Sequence, residues 1–241
     1  MVNPATSRIS IADLIARDGF AFVHDAEMRG VLEANGSAGW DVFAASWNDL
    51  GLNTYMADGG RYRRRRHGVF AASADGVVRM EHRPHYQSRD YNALNGGIAR
   101  WFDPVTDAVA AMPAFTAILR TCQRVFDALS PGVPSWDVEV HQFRIEAQPG
   151  QAGQPTPEGM HRDGVDWVLV LLVRRDNIAS GETTIHNLDR DMLGSFTLAR
   201  PMDAAWVDDS RVYHGVTPVE PRDPDQPAFR DVLVVTFKRG V

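Results

Sequence analysis

From Trp136 to the C-terminus the chain breaks into seven short extended stretches: "WDVEVHQFRI", "DWVLVLLV", "GETTIHNL", "GSFTLA", "AAWVDD", "VYHGVTPV" and "RDVLVVTF". Gly, Pro and Asp part them. Some alternate apolar with polar residues and others are unbroken apolar runs, as expected of strands buried on one face or on both. Short strands at this spacing favour a β-sandwich or a jelly roll.

The first part of the chain is mixed. "ISIADLIARD" at 9–18 sets Ile11, Leu14 and Ile15 at helical spacing, with Gly19 placed to end the helix. "FAFV" reads as a strand, and "GRYRRRRHGVF" and "GVVRMEHRP" read as extended segments about the turn "AASADG". A helical pattern covers 104–129, and Pro113 is expected to break it in two. There is no internal repeat or low-complexity linker. The expected fold is therefore mainly β with flanking helices: one domain over 1–241, a cupin-like double-stranded β-helix (jelly roll). Residues 136–241 supply its core strands and 1–135 support them.

Composition narrows the function. A net charge of -6 gives no general attraction to nucleic acid or an anionic membrane. The single cysteine, Cys122, excludes a disulfide framework or a thiolate cage within one chain, so a metal must be held by His, Asp, Glu or other oxygen ligands. Cys122 itself reads as a small buried residue of a helix. No stretch approaches membrane-spanning length, and "MVNPATSRISIADLI" lacks the pattern of a secretion leader. The expectation is a cytoplasmic protein, with a homodimer compatible with everything above.

The chemistry gathers around "PTPEGMHRDGVDWVLVLLV". His161 and Asp163 stand two apart at the mouth of a buried strand, so in extended backbone they share a face. His214 lies near the end of a later strand, in "DDSRVYHGVTPV". Two imidazoles and one carboxylate can cap one face of an octahedral metal and leave the opposite positions open, as non-haem Fe(II) oxygenases require. Arg230 opens the last strand, and a guanidinium is a rigid fork for a carboxylate. H-x-D, a distant His, then an Arg on the following strand is the order needed by an Fe(II)/2-oxoglutarate oxygenase on this fold. Each element alone is commonplace: H-x-D arises by chance, strand histidines are mostly structural, and arginines mostly pair at the surface. Their combination and order carry the reading.

"PTPEGMHRDGVDWV", "GET", "DDSRVYHGVTPV" and "FRDVLVVTF" resemble the bacterial Fe(II)/2-oxoglutarate dioxygenases that hydroxylate free aliphatic L-amino acids, the isoleucine dioxygenase group. "DGGRYRRRRHGVF" and "HYQSRDYNALNGGIARWFDPV" agree with it, so the resemblance runs from about residue 40 to the end. It implies His161, Asp163 and His214 as iron ligands, and Arg230 on the 2-oxoglutarate C5 carboxylate. The implied co-substrates are 2-oxoglutarate and O2, and the products succinate, CO2 and a hydroxylated small molecule. One departure stands out. Many 2-oxoglutarate enzymes place Ser or Thr two residues after the arginine, and here that residue is Val232. Gln142, Thr183 or Thr184 is then expected to supply the second donor.

The remaining candidates each have a plain alternative. Arg61 to Arg66, broken only by Tyr62, could be a nucleic-acid patch, a solvated edge strand, or the seat of a substrate carboxylate. Strand parity separates Tyr62, Arg64 and Arg66 from Arg61, Arg63 and Arg65, and the tyrosine-bearing face is taken as inward. Gln142 and Arg144 share a face with Val140 and either line the site or brace the sheet. Glu158 either receives a substrate ammonium or simply shapes a turn. Trp167 reads as core. His141 and His186 read as structural, and His82 and His85 do not make a second metal site. Two readings from other classes stay open: a non-catalytic jelly roll that binds a metal or ligand, and a nucleic-acid-binding protein using the arginine run. Within the oxygenase reading, a modified amino acid or a peptide side chain is the rival substrate.

Overall fold

The first helix, α1 (Ile11–Asp18), starts on a Ser10 capping box and stops on Gly19, which takes the left-handed conformation at φ +81°. The structure is a computed structural model that describes residues 10–240; Ile9 and the stretch before it, read above for a leader, lie outside that range. β1 (Phe20–Val23) follows, then α2 (Asp25–Glu33) and α3 (Trp40–Ala45). The two helices were not expected. α2 buries only Met28 and Leu32 and α3 only Phe43, too few apolar positions to mark a period.

β2 (Arg63–Ser73) and β3 (Gly76–Arg79) form the expected hairpin, Ser73 pairing with Gly76. The helical region is divided, as predicted, into α4 (Asp107–Ala110) and α5 (Pro113–Leu129), with Pro113 in the first turn of α5, where its missing N–H costs nothing. The remaining strands are β4 (Ser135–Ala147), β5 (Trp167–Asp176), β6 (Ile178–Ser180), β7 (Thr183–His186), β8 (Met192–Phe196), β9 (Ala204–Asp208), β10 (Tyr213–Val216), β11 (Val219–Pro221) and β12 (Ala228–Arg239).

The large sheet has the order β1-β9-β5-β12-β4-β2-β3, and a smaller sheet has the order β10-β7-β8. β6 and β11 pair with each other. The fold is the double-stranded β-helix. The N-terminal part does more than support it, because β1, β2 and β3 belong to the large sheet itself. Both edges of that sheet are therefore closed by strands from outside residues 136–241.

Strand alternation divides this sheet into two chemically different faces. Val138 and Val140 of β4 and Leu233, Val235 and Phe237 of β12 pack in one cluster with Phe115, Ile118 and Phe126 of α5. The intervening residues, Glu139, His141 and Phe143 of β4 and Val232, Val234 and Thr236 of β12, face a cavity. β2 enters this frame through its register with β4. Arg63 lies opposite Ile145, Arg65 opposite Phe143 and His67 opposite His141. No helix among the described residues is long and apolar enough to cross a membrane.

Candidate active site

The cavity has a volume of about 470 Å³, within the range of small-molecule sites, roughly 300–1,000 Å³. His161, Asp163 and His214 meet on its wall, with ligand atoms all within 4.8 Å of one another. Two short backbone bonds bring them together. The N–H of His161 donates to the carbonyl of His214 and the N–H of His214 to that of His161, each at 2.9 Å.

The loop after His161 is organised by Asp209. Its carboxylate accepts from the backbone N–H of Asp163, Gly164 and Val165 at 2.8, 2.7 and 3.1 Å. Gly164 sits at φ +79°, and a Cβ there would lie 2.6 Å from the ring of Tyr91. Glycine is thus required for both conformation and room. Sequence reasoning missed Asp209, although the pair "DD" ahead of "SRVYHG" was visible.

The donor set fits a divalent metal. A carbonyl only accepts, so the contact of His161 Nδ1 with the carbonyl of Gly159 at 3.1 Å puts the ring proton on Nδ1. Nε2 is left with its lone pair, 3.6 Å from Asp163 Oδ1. His214 Nε2 stands 3.6 Å from Asp163 Oδ2. These gaps exceed hydrogen-bond length and suit three groups sharing one cation. Outside the set, Gln87 Nε2 donates to Asp163 Oδ1 at 3.2 Å, the kind of support that orients a ligating carboxylate.

Without the cation a proton takes its place, the His161 imidazolium offsetting the Asp163 carboxylate. Burial raises the Asp163 carboxyl, but His161 and His214 outweigh it and hold it below the carboxylate range. Burial lowers His161, but Asp163 and Glu158 outweigh it and raise it to about 9. Burial, reinforced by the charge on His161, lowers His214 to about 4.

Arg230 lines the same cavity, is 2 % exposed, and leaves Nε and one terminal nitrogen without a partner. Burial, with the Arg175 charge behind it, lowers its pKa to about 10. A buried guanidinium with free N–H groups is a seat awaiting an anion. Val232, two residues on, lines the cavity as well and offers no hydroxyl to share an anion with Arg230.

Glu158 is also on the wall. Its Oε1 is 3.6 Å from His161 Nε2, and its Oε2 is buried without a partner.

Other expectations are corrected. Gln142 faces away from the cavity, its Nε2 donating to Ser46 Oγ at 2.9 Å. It shares the parity of Val140, which packs beneath α5, and parity alone takes it out of the site. Thr184 is half-buried, on the face of β7 opposite to that of buried Thr183 and Ile185; of the two threonines it is Thr183 whose hydroxyl is buried and unpartnered.

The arginine strand presents its other face. Arg64 pairs with Glu146 at 2.7 Å and Arg66 with Asp49 at 2.8 Å, both outside the cavity. Tyr62 donates its hydroxyl to Asp58 at 2.5 Å. Arg63 and Arg65 point inward. The reason is register: His67 and the buried His141 are cross-strand partners, which commits the odd positions of β2 to the cavity.

A further cluster, unexpected from sequence, lies here, with His85, Glu139 and His141 on the cavity wall and His67 fully buried beside them. Ligand atoms of His67, His85, Glu139 and His141 also fall within 4.8 Å of one another. Their contacts differ from those of the first set. His85 Nδ1 lies 2.6 Å from Glu139 Oε2, a hydrogen bond. Arg65 reaches His141 Nδ1 at 2.7 Å. An arginine only donates, so Nδ1 accepts and the proton of His141 sits on Nε2, toward Glu139. Glu139 is thus engaged by the ring of His85, while His67 and His141 stand 3.3 and 3.7 Å from the same oxygen and both ring nitrogens of His67 lack a partner. Burial lowers His67, His85 and His141 alike, His85 to about 4. Burial raises Glu139, but the neighbouring imidazoles of His67 and His85 outweigh it and hold it below the carboxylate range.

A family model described as 2OG-Fe dioxygenase matches residues 44–236. The chain is 27 % identical over 161 residues to the 3(1)-hydroxy-L-isoleucine 4-dioxygenase of Pantoea ananatis, covering 65 % of this chain and 64 % of that protein. It is 29 % identical over 156 residues to the L-isoleucine-4-hydroxylase of Bacillus thuringiensis, covering 64 % of each. The match therefore spans less than two thirds of either relative. The crystal structure of a bsmA homolog from Methylobium petroleophilum superposes with a TM-score of 0.86 at 34 % identity, covering 95 % of this chain and 92 % of that one.

Proposed function

The chain belongs to the 2OG-Fe dioxygenase family, and from that premise we propose that it hydroxylates an unactivated carbon of a small substrate, in the first place a free aliphatic L-amino acid. The observation that carries the proposal is the placement of His161, Asp163 and His214 in one cavity with the unpaired guanidinium of Arg230. Both curated relatives are named for reactions of isoleucine or its hydroxy derivative, which supports the amino-acid class.

In this reading His161, Asp163 and His214 hold Fe(II), and Arg230 holds the distal carboxylate of 2-oxoglutarate. When bound, the iron supplies the oxidising power drawn from O2 and 2-oxoglutarate, with succinate and CO2 as co-products. The protein's part is placement. Val165, Val170, Val216 and Val234 line the cavity and suit an aliphatic side chain. The free Oε2 of Glu158 receives the substrate ammonium. Asp209 keeps Asp163 on its loop, and Gln87 holds one oxygen of that carboxylate.

The test is succinate release by purified protein given Fe(II), ascorbate and 2-oxoglutarate, with each L-amino acid in turn and mass spectrometry for one added oxygen. Stimulation by an aliphatic amino acid with a hydroxylated product is expected. Uncoupled succinate without stimulation would move the substrate to a modified amino acid or peptide. No succinate from iron-loaded protein would favour a non-catalytic jelly roll. The nucleic-acid alternative loses its support here, because Arg64 and Arg66 are paired to carboxylates and Arg63 and Arg65 are buried.

A further inference from the structure

The cavity carries more positive charge than the co-substrate requires. Besides Arg230 it is lined by Arg63, Arg65 and Arg100, which are 8 %, 4 % and 4 % exposed. Among the described residues none of these three lies within salt-bridge distance of a carboxylate, whereas Arg64, Arg66, Arg83 and Arg144 around them all do.

Arg63 has a structural use. It donates to the carbonyls of Gln154 and Pro155 at 3.0 and 2.6 Å and so tethers the loop ahead of His161. Arg65 and Arg100 have no such use. Arg65 is sandwiched between two rings, its guanidinium carbon 3.7 Å from the centroid of Phe102 and 4.4 Å from that of Phe143. Its one polar contact is His141, and its Nε is buried without a partner. Arg100 touches only the Gln87 side chain, at 3.5 Å, and its Nε is likewise alone. Glu139, on the same wall, is engaged by His85.

We infer that Arg65 and Arg100 form a second anion seat, separate from Arg230, that receives the carboxylate of the substrate itself. The inference rests on the dioxygenase reading above and deepens it. 2-Oxoglutarate brings two carboxylates, one for the metal and one for Arg230, so a further seat belongs to another molecule. Burying unpaired guanidinium groups is costly unless a ligand brings the counter-ion. Ring stacking fixes the plane of Arg65 before the ligand arrives, which suits bidentate capture of a carboxylate. The substrate class is therefore a small molecule with a free carboxylate. A residue inside a peptide, whose carboxyl is an amide, leaves the seat unfilled.

The seat is tested by calorimetric binding to the full chain loaded with Mn(II) and 2-oxoglutarate under argon, a readout independent of turnover. The probes are aliphatic L-amino acids, beginning with L-isoleucine, and the carboxamide of the tightest binder. The acid is expected to bind, and the carboxamide to bind about 100-fold more weakly. Arg65→Gln and Arg100→Gln should each weaken the acid by about 100-fold and leave 2-oxoglutarate within about threefold. Arg64→Gln and Arg66→Gln remove the same charge from the other face and should change neither.

Equal affinity for acid and carboxamide, or unchanged affinity in both cavity variants, would overturn the seat while leaving the dioxygenase reading intact. Binding of 2-oxoglutarate with no amino acid bound would remove the amino-acid reading and the seat together. Should Arg65→Gln fail to fold, Arg100→Gln and the carboxamide comparison decide.

Discussion

At the scale of single residues, the two histidine clusters show how one donor set serves two ends. In both, imidazoles surround a carboxylate, but both gaps around Asp163 are 3.6 Å, whereas Glu139, 3.3 and 3.7 Å from His67 and His141, is closed on by His85 at 2.6 Å. The first spacing leaves room for a cation and the second closes on a proton. His161→Ala or Asp163→Ala should therefore remove tightly bound iron, read as metal per chain after gel filtration, along with succinate formation. His85→Ala should leave the iron content near that of the wild type. Retained iron in both of the first variants would refute the ligand assignment. Glu158→Gln keeps shape and removes charge. It should raise the KM for an amino acid by about tenfold to 100-fold, the worth of one hydrogen bond to a charged group, and leave that for 2-oxoglutarate alone. Equal effects on both would place Glu158 with the metal instead.

At the scale of elements, Asp231 joins strands that the cavity depends on. It is fully buried and accepts from Arg144 of β4 at 2.7 and 2.8 Å and from Arg174 of β5 at 3.2 and 3.3 Å. Asn48 accepts from both arginines on the helix side. Asp231→Ala strands two cations, and should cost about 3 kcal/mol or more, about 10 °C in Tm for a chain of this size. Because Asp231 faces away from the cavity, 2-oxoglutarate affinity of the folded variant should be unchanged. Strand-level legibility was high where a face repeats: β4, β5 and β12, the split helix at Pro113, and the triad could all be read from the sequence. What failed was the choice of face. Four consecutive arginines carry no amphipathic signal, so parity had to come from the partner strand. In β4 the alternation is plain, but its apolar face serves the helices and its polar face lines the cavity. Gln142 and Arg144 were thus weighed as site residues on the wrong side. Arg100 and Gln87 sit in a stretch without period and are united with the site only by tertiary structure.

At the scale of the whole molecule, the cavity wall makes stability depend on pH. His67, His85 and His141 are held neutral, chiefly by burial, with His85 lowered from 6.5 to about 4. In the unfolded chain each takes up a proton near pH 6.5, so below that the unfolded state binds more protons than the folded one. The contribution is complete above about pH 6.5 and is lost as pH falls toward about 4. Urea unfolding with a divalent metal bound, which keeps His161 and His214 from titrating, should lose about 1 kcal/mol through His85 between pH 7.5 and 5.5, with His67 and His141 acting in the same direction. A flat profile would mean that the wall already carries shared protons.

The run from Arg63 to Arg66 offers a guanidinium to the cavity in either reading frame of the strand. Deleting one residue ahead of β2 would set Arg64, Arg66 and Gly68 where Arg63, Arg65 and His67 now stand. The cations are thus encoded redundantly and the imidazole only once. Over drift by single-residue changes in loop length, such a pocket keeps its attraction for acids while losing the Glu139 network beside it. The capacity to hold an anion thus survives a slip of one residue, and the imidazole beside Glu139 does not.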